Sequence, residues 1–275
     1  MTRRFCLIGE RAGTSLSPLM HNAAFQARGI DAVYEGFDVA PEQLPHVLAQ
    51  LRSGVYSGCN VTMPYKAAVV AACDWVEGDA ELLGVVNAIT VEQGKLIGQN
   101  TDAEGFELAL SVQGLWPVAG STALILGAGG AAAAVALALL RAPAARMVIA
   151  ARRTEPAVHL AERVAAGARV DVLPWERVAV QPAAEGADVV VNATPAGVAE
   201  LPLSVHRLPL SCTVADVRYR PRPVDLVAAA TDAGLRACDG LEMLLQQGML
   251  CFERWTGEAP PWEDARAALH TAAGA

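Results

Sequence analysis

Lysine is almost missing from this chain. Of its 21 basic residues only Lys66 and Lys95 are lysines, and no basic run is longer than pairs such as Arg3-Arg4 and Arg152-Arg153. With a net charge of -8 at pH 7, nucleic acid is excluded as a partner, and an anionic ligand would need a local positive site. Six cysteines, Cys6, Cys59, Cys73, Cys212, Cys238 and Cys251, form no C-x-x-C pair. That absence argues against a zinc site or a disulfide frame and favours buried, reduced thiols. The five histidines form no H-E-x-x-H, so no metal is expected. The apolar run near the start is only four residues, Phe5 to Ile8, before Gly9 and Glu10, which suits a strand rather than a signal peptide. The uncharged stretch from Gly120 to Leu140 is broken by "GAGG", which excludes a spanning helix. No membrane partner and a cytoplasmic location are therefore expected. There is no internal repeat and no low-complexity linker.

What is present suits two domains. At 275 residues and 53% hydrophobic, the chain can fill two cores. Apolar runs alternate with helical patterns: "FCLIG", a helix from Ser17 to Arg28, "AVYEGFDV", a helix from Pro41 to Leu51, "GCNVT" and a helix from Pro64. Such alternation predicts an α/β fold with a parallel sheet. "VVNAITV" and "KLIGQN", separated by "EQG", read as an appended hairpin. A second alternating series begins near Ser121 with "TALILG", "RMVIAA", "ARVDVL", "ADVVVNATP" and "CTVADV". From Gly240 the chain is mostly helical.

Between the first strand and helix of that second series, "LILGAGGAAAA" places Gly127, Gly129 and Ala132 in a G-x-G-x-x-A pattern. The first glycine permits a tight turn, the second lets backbone approach a pyrophosphate, and the small third residue lets helix pack on strand. After the next strand come Arg152, Arg153 and Thr154. An NAD site usually carries an acid there, whereas these donors suit a 2'-phosphate, so NADP is favoured.

Lys66 stands out. "CNVTMPYKAAVVAA" predicts a helix entered at Pro64 from a short strand, with Lys66 in its first turn. There a cation opposes the helix dipole at a cost of about 0.3–1 kcal/mol. Ser17 precedes Pro18 at another helix start, where capping alone would explain it. Capping does not explain Ser15. Asp102 also opens a predicted helix, where an acid favours the dipole without any chemistry.

The stretches "SLSPLMHN", "NVTMPYK", "VVNAIT", "GQNTD", "GAGGA", "ARRT", "NATPAG", "RYRP" and "GLEMLLQQ", in this order, resemble the shikimate dehydrogenase family over nearly the whole chain. The resemblance implies an enzyme that reduces the ketone of 3-dehydroshikimate to shikimate with NADP, on the way to aromatic amino acids and chorismate. It implies a substrate domain at residues 1–101 plus 240–275 and an inserted Rossmann NADP domain at 102–239. Lys66 and Asp102 match the family's catalytic pair. Ser15, Ser17, Thr62, Asn87, Tyr219 and Gln247 match residues that hold the substrate, a small anionic cyclic hydroxy acid. Gly127, Ala128, Gly129, Gly130, Ala131, Arg152, Arg153, Thr154, Thr194, Val217 and Gly240 match cofactor contacts. The expected assembly is a monomer or homodimer.

Several positions depart from the family's usual pattern. Thr14 stands where a histidine is usual, Ala103 follows Asp102 in place of glycine, Ala88 replaces threonine, and Arg152 replaces asparagine. Quinate and aminoshikimate therefore stay open as substrates beside shikimate, although the paired serines favour shikimate over quinate. A ligand-sensing homologue without chemistry is the alternative from another class, disfavoured by retention of Lys66 and Asp102. A methylene-tetrahydrofolate dehydrogenase of similar build is disfavoured by the serine pair and "NTD".

Overall fold

The computed structural model describes residues 2–117, 119–142, 144–165 and 169–274. It divides into two compact units, Met1–Thr101 with Leu244–Ala275, and Asp102–Met243. The return to the first unit thus falls inside a helix, a few residues beyond Gly240.

The first unit opens with β1 (Arg3–Gly9), α1 (Ser17–Ala27), β2 (Ala32–Asp38), α2 (Leu44–Arg52), β3 (Gly58–Val61), β4 (Trp75–Val76), α3 (Asp79–Leu83), β5 (Ala88–Glu92) and β6 (Lys95–Gln99). The sheet order is β2-β1-β3-β5-β6-β4. β1 runs parallel to β2 and β3. The predicted hairpin is β5–β6, antiparallel and joined through Gln93 and Gly94. Both linking residues have positive φ, 51° and 76°, as a two-residue hairpin turn of the right twist needs.

Lys95 has a structural task. Its Nζ lies 3.2 Å from Asp74, which also meets Arg52 at 2.6 Å and accepts the Leu96 N–H at 2.9 Å. The Leu96 N–H and the two cations hold the Asp74 carboxyl down at about 2.

The predicted helix from Pro64 does not form. Residues 63–69 are irregular turns, and only Val70–Ala72 make a short 3-10 segment. The difference lies in the hydrogen-bond ladder: the Val70 N–H turns to the Ala67 carbonyl at 3.3 Å, and the Lys66 carbonyl, which an α-helix would pair with Val70, accepts the N–H of Val86 at 2.8 Å. The Tyr65 hydroxyl is meanwhile tied to the Val39 carbonyl at 2.6 Å. The dipole argument for Lys66 therefore does not apply. Capping by Ser17 is likewise absent: α1 has no side-chain cap, and Ser17 instead donates its N–H to the Ser15 Oγ at 3.2 Å.

The scarce aromatics of the chain are concentrated in this unit. Phe5 stacks on Phe25 and Trp255 at 5.3 and 4.9 Å, and His21 lies flat on Tyr34 at 4.2 Å. Trp255 and Phe252 belong to α9 (numbered after the helices of the second unit, Leu241–Thr256), which with α10 (Trp262–Ala273) closes the chain. Leu245, Met249, Cys251 and Phe252 are fully buried, as a helix apolar on several faces must be.

The second unit holds α4 (Asp102–Val112), β7 (Thr122–Leu126), α5 (Gly130–Arg141), β8 (Arg146–Ala151), α6 (Thr154–Val164), β9 (Arg169–Pro174), α7 (Arg177–Glu185), β10 (Val189–Asn192), β11 (Thr213–Asp216), α8 (Asp225–Asp232) and β12 (Arg236–Cys238). Its six strands, ordered β12-β11-β10-β7-β8-β9, are parallel throughout. This is the doubly wound order, whose direction reverses between β7 and β10. Ala132 to Leu139 of α5 are buried, because alanine lets that helix approach the strands closely.

All six cysteines are free, and five are buried. Burial pushes the Cys73 thiol up to about 11 and those of Cys212 and Cys238 to about 12. Among the described residues no helix is long and apolar enough to cross a membrane.

His21 supplies a pH test. Its ring is fully buried with both nitrogens unpartnered, and burial lowers its pKa from 6.5 to about 3. The ring is neutral in both folded and unfolded chains above pH 6.5, so it causes no loss of stability there. Below that, protonation of the unfolded chain draws the equilibrium away from the fold, increasingly down to about pH 3. In calorimetry, His21→Leu is expected to lose less Tm than the parent between pH 7 and pH 4; equal losses would remove this role.

Candidate functional site

The residues assigned to substrate in the first unit gather at one end of its sheet. Thr62 follows β3 and donates its N–H to the Ile8 carbonyl of β1 at 2.9 Å. Ser15 and Ser17 follow β1 through a short 3-10 turn at Ala12–Thr14, and the Ser15 Oγ donates to the Ser17 Oγ at 3.1 Å. Asn87 immediately precedes β5, where its carbonyl accepts the Val61 N–H at 2.8 Å and its N–H reaches the Gln99 carbonyl at 3.0 Å. The Val86–Lys66 hydrogen bond brings Lys66 to the same edge. These are the carboxyl ends of the parallel strands, where open α/β sheets present ligand-binding loops.

The Asn87 side chain is a junction. Its Oδ1 accepts the Thr101 N–H at 2.8 Å, and its Nδ2 donates to the Thr101 Oγ1 at 2.9 Å and to the Gln247 Oε1 at 3.4 Å. Thr101 is covalently followed by Asp102, the first residue of α4. A second buried amide supports it: Asn60 donates to the Asn87 carbonyl at 3.1 Å and to the Cys251 Sγ at 3.2 Å, and accepts from the Tyr34 hydroxyl at 2.7 Å. Neither Asn60 nor Tyr34 was expected from the sequence. Burial raises the Tyr34 pKa well above its ordinary value, so this hydroxyl stays a donor.

The second unit contains a cavity of about 330 Å³ lined by residues including Gly127, Ala128, Gly129, Arg152, Arg153 and Thr194. Its size falls in the range of about 300–1,000 Å³ typical of small-molecule sites. Gly127 has φ 118°, and a Cβ there would sit 2.9 Å from the Thr194 side chain and 3.0 Å from the Ala193 carbonyl. A Cβ at Gly129 would instead enter open space, room that a pyrophosphate can occupy against the free N–H groups at the start of α5. Gly130 and Ala131 open that helix. Thr154 opens α6 behind the two arginines.

A polar network fixes the opposite wall. Asn192 at the end of β10 donates to the Ala196 carbonyl and the Asp216 carboxylate, and its Oδ1 accepts from the Thr194 N–H and hydroxyl. Asp216, fully buried at its side chain, pairs with Arg218 at 2.6 Å, which also pairs with Asp225. Val217 and Gly240 are brought together: the Gly240 N–H meets the Arg218 carbonyl at 3.0 Å, and a Cβ at Gly240 would collide with the Val217 carbonyl. Tyr219 lies half-buried in the loop after β11 and belongs to the second unit, unlike the other substrate-assigned residues.

Trp175 and Glu200 also line the cavity and were missed. Trp175 follows the third strand of a doubly wound sheet, a position that could have flagged it. Glu200 closes a three-residue 3-10 segment, Val198–Glu200, for which no motif exists. Among the described residues no group of three or more His, Cys, Asp or Glu could hold a metal ion.

The sequence matches three family models that follow one another along the chain. They are the shikimate dehydrogenase substrate binding domain at residues 7–89, shikimate / quinate 5-dehydrogenase at 107–204, and the shikimate 5'-dehydrogenase C-terminal domain at 240–270. A shikimate dehydrogenase (NADP(+)) from Rubrobacter xylanophilus is 45% identical over 96% of this chain and 94% of its own. The chain belongs to the shikimate dehydrogenase family. A shikimate 5-dehydrogenase from Thermus thermophilus, solved in complex with NADP(H) and shikimate, has a TM-score of 0.86 at 37% identity, covering 98% of this chain and 100% of that one. A quinate dehydrogenase from Corynebacterium glutamicum in complex with NAD scores 0.87 at 31% identity, covering 98% and 99%. Two proteins with different named substrates and cofactors thus share this backbone equally well.

Gly127→Ala tests the cradle. Replacement forces the Cβ against the Thr194 loop at an unfavourable φ, and overpacking of this kind costs about 1–3 kcal/mol. Lower Tm together with weakened nucleotide binding is expected in calorimetry and titration; an unchanged affinity would show that the turn does not shape the site.

Proposed function

We propose that this chain is an NADP-dependent oxidoreductase that interconverts 3-dehydroshikimate and shikimate, with Lys66 and Asp102 as its catalytic residues. The observation that carries the reading is the convergence of Ser15, Ser17, Thr62, Lys66, Asn87 and Gln247 on one sheet edge. In a chain with only two lysines and a net charge of -8, one lysine is committed to a surface ion pair with Asp74. The other is held by its backbone carbonyl to the Val86 N–H at 2.8 Å, next to Asn87, which supports its assignment to the substrate end of the sheet.

NADPH, when bound, supplies a hydride to the ketone carbon. The glycine turn from Gly127 to Ala131 would hold its pyrophosphate, and Arg152, Arg153 and Thr154 its 2'-phosphate. As negative charge builds on the ketone oxygen, the Lys66 ammonium stabilises it and delivers a proton; in the reverse direction the neutral amine takes the proton back. Ser15 and Ser17 donate hydroxyl hydrogen bonds to the substrate carboxylate. Thr62, Asn87 and Gln247 orient the ring hydroxyls, with Tyr219 assigned to the carboxylate. Asp102 accepts a hydrogen bond from a substrate hydroxyl, an orienting role that fits its buried position at the start of α4. Holding the reacting groups in register in this way removes much of the entropic part of the barrier.

The test follows the absorbance of the reduced nicotinamide with NADP or NAD against shikimate, quinate and aminoshikimate. Shikimate with NADP is expected to turn over fastest. Loss of a general acid-base group costs about 10²–10⁴-fold, so Lys66→Ala is expected to lower kcat by that order while KM for shikimate changes little. Asp102→Asn should lower kcat less and raise KM. Nucleotide binding without turnover of any substrate would move the chain to a ligand-sensing role.

A further inference from the structure

Among the described residues that line the cavity of the second unit, Glu200 is the one carboxylate. Its two oxygens have separate tasks. Oε2 accepts the Gly197 N–H at 3.0 Å, closing the turn that carries Ala196 into the cavity wall. Oε1 accepts from the Arg152 Nη2 at 3.4 Å. The Arg152 guanidinium in turn lies 5.6 Å over the Trp175 ring, a cation–π contact that leaves its other N–H donors available. Arg153, next along the chain, also lines the cavity. The cationic reader of this site therefore already has an anionic companion within the protein.

Resting on the NADP reading above, we propose that Glu200 sets the strength of the preference for NADP over NAD by opposing the 2'-phosphate at Arg152. A phosphate that bonds the Arg152 fork carries close to two negative charges and comes to lie beside the Glu200 carboxylate. Part of the attraction of Arg152 is cancelled by that neighbour. The side chains are well exposed, 64% and 59%, so the opposition is tempered by water and by salt. It is therefore sized to trim affinity rather than to abolish binding. A nucleotide without the 2'-phosphate places no such charge there and does not meet the opposition. The Gly197 turn explains why a carboxylate tolerates this place: the same side chain closes the loop, and glutamine can keep that bond through its amide oxygen.

The experiment is calorimetric titration of the full chain with four ligands: NADP, NAD, 2',5'-ADP and 5'-AMP. Neutralising one exposed like charge about 6 Å from a phosphate, at near-aqueous screening, should tighten binding about three- to tenfold. Glu200→Gln is thus expected to lower the Kd of NADP and 2',5'-ADP by that factor. The Kd of NAD and 5'-AMP should change less than about twofold, and the gain should shrink as salt rises. Glu200→Asp keeps the charge and is expected to keep the parental NADP to NAD ratio. If Glu200→Gln loses the fold, a salt series on the parent and on Glu200→Ser decides: added salt must weaken NADP binding less in the parent than in Glu200→Ser. An equal shift for all four ligands, no shift, or weaker NADP binding in Glu200→Gln overturns the inference. Failure of every nucleotide to bind overturns the NADP reading itself, so the two outcomes are distinct.

Discussion

A single main-chain hydrogen bond, from the Val86 N–H to the Lys66 carbonyl, ties the segment after Pro64 to the approach to β5. A backbone carbonyl is an obligatory acceptor, and the donor it finds shapes the chain around it. By taking that donor from the approach to β5, Lys66 is lifted out of any helix and fixed at the carboxyl ends of β1 and β3. The next residue, Asn87, extends the same junction through its side chain to Thr101 and to Gln247 on α9. Asn87 bonds both the N–H and the hydroxyl of Thr101, which also meets the Cys251 Sγ at 3.4 Å, so the residue at which the chain leaves the first unit is held to the approach to β5 and to α9. Removing the Asn87 amide would leave a buried N–H without a partner, a loss of about 1–3 kcal/mol.

The second unit answers a different constraint. A chain with net charge -8 must build a phosphate site from few positive groups. The proposed phosphate site draws instead on geometry: the N–H groups at the start of α5, a positive-φ turn at Gly127 where a Cβ would meet Thr194 and Ala193, and two arginines directly after β8. The opposite wall is held by Asn192, whose amide ties the Thr194 and Ala196 backbone to buried Asp216, itself balanced by Arg218. Glu200 sits where those two walls meet, bonded to both. The cavity thus combines a rigid frame with one exposed ion pair that a ligand can rearrange.

Much of this was legible from sequence because it depends on local rules. Strand and helix alternation, the Gln93–Gly94 hairpin turn, the G-x-G-x-x-A cradle and the arginines after β8 all follow from short-range backbone geometry and periodicity. The buried, polyfacial α9 was visible in its apolar pattern. The helix expected at Pro64 was the clear failure, because the competing donor, Val86, lies 20 residues further on and periodicity cannot see it.

The sequence by itself thus determined the alternation of elements, the two strand series and the identity of the residues that carry charge and hydroxyls. Only the tertiary structure decided that Asn60 and Tyr34 support the Asn87 junction and that Glu200 stands beside Arg152. The physical reason is range. Helix, strand and turn preferences are set within a few residues, whereas each of those polar groups finds its partner through strand order and crossover connections, which bring distant segments together.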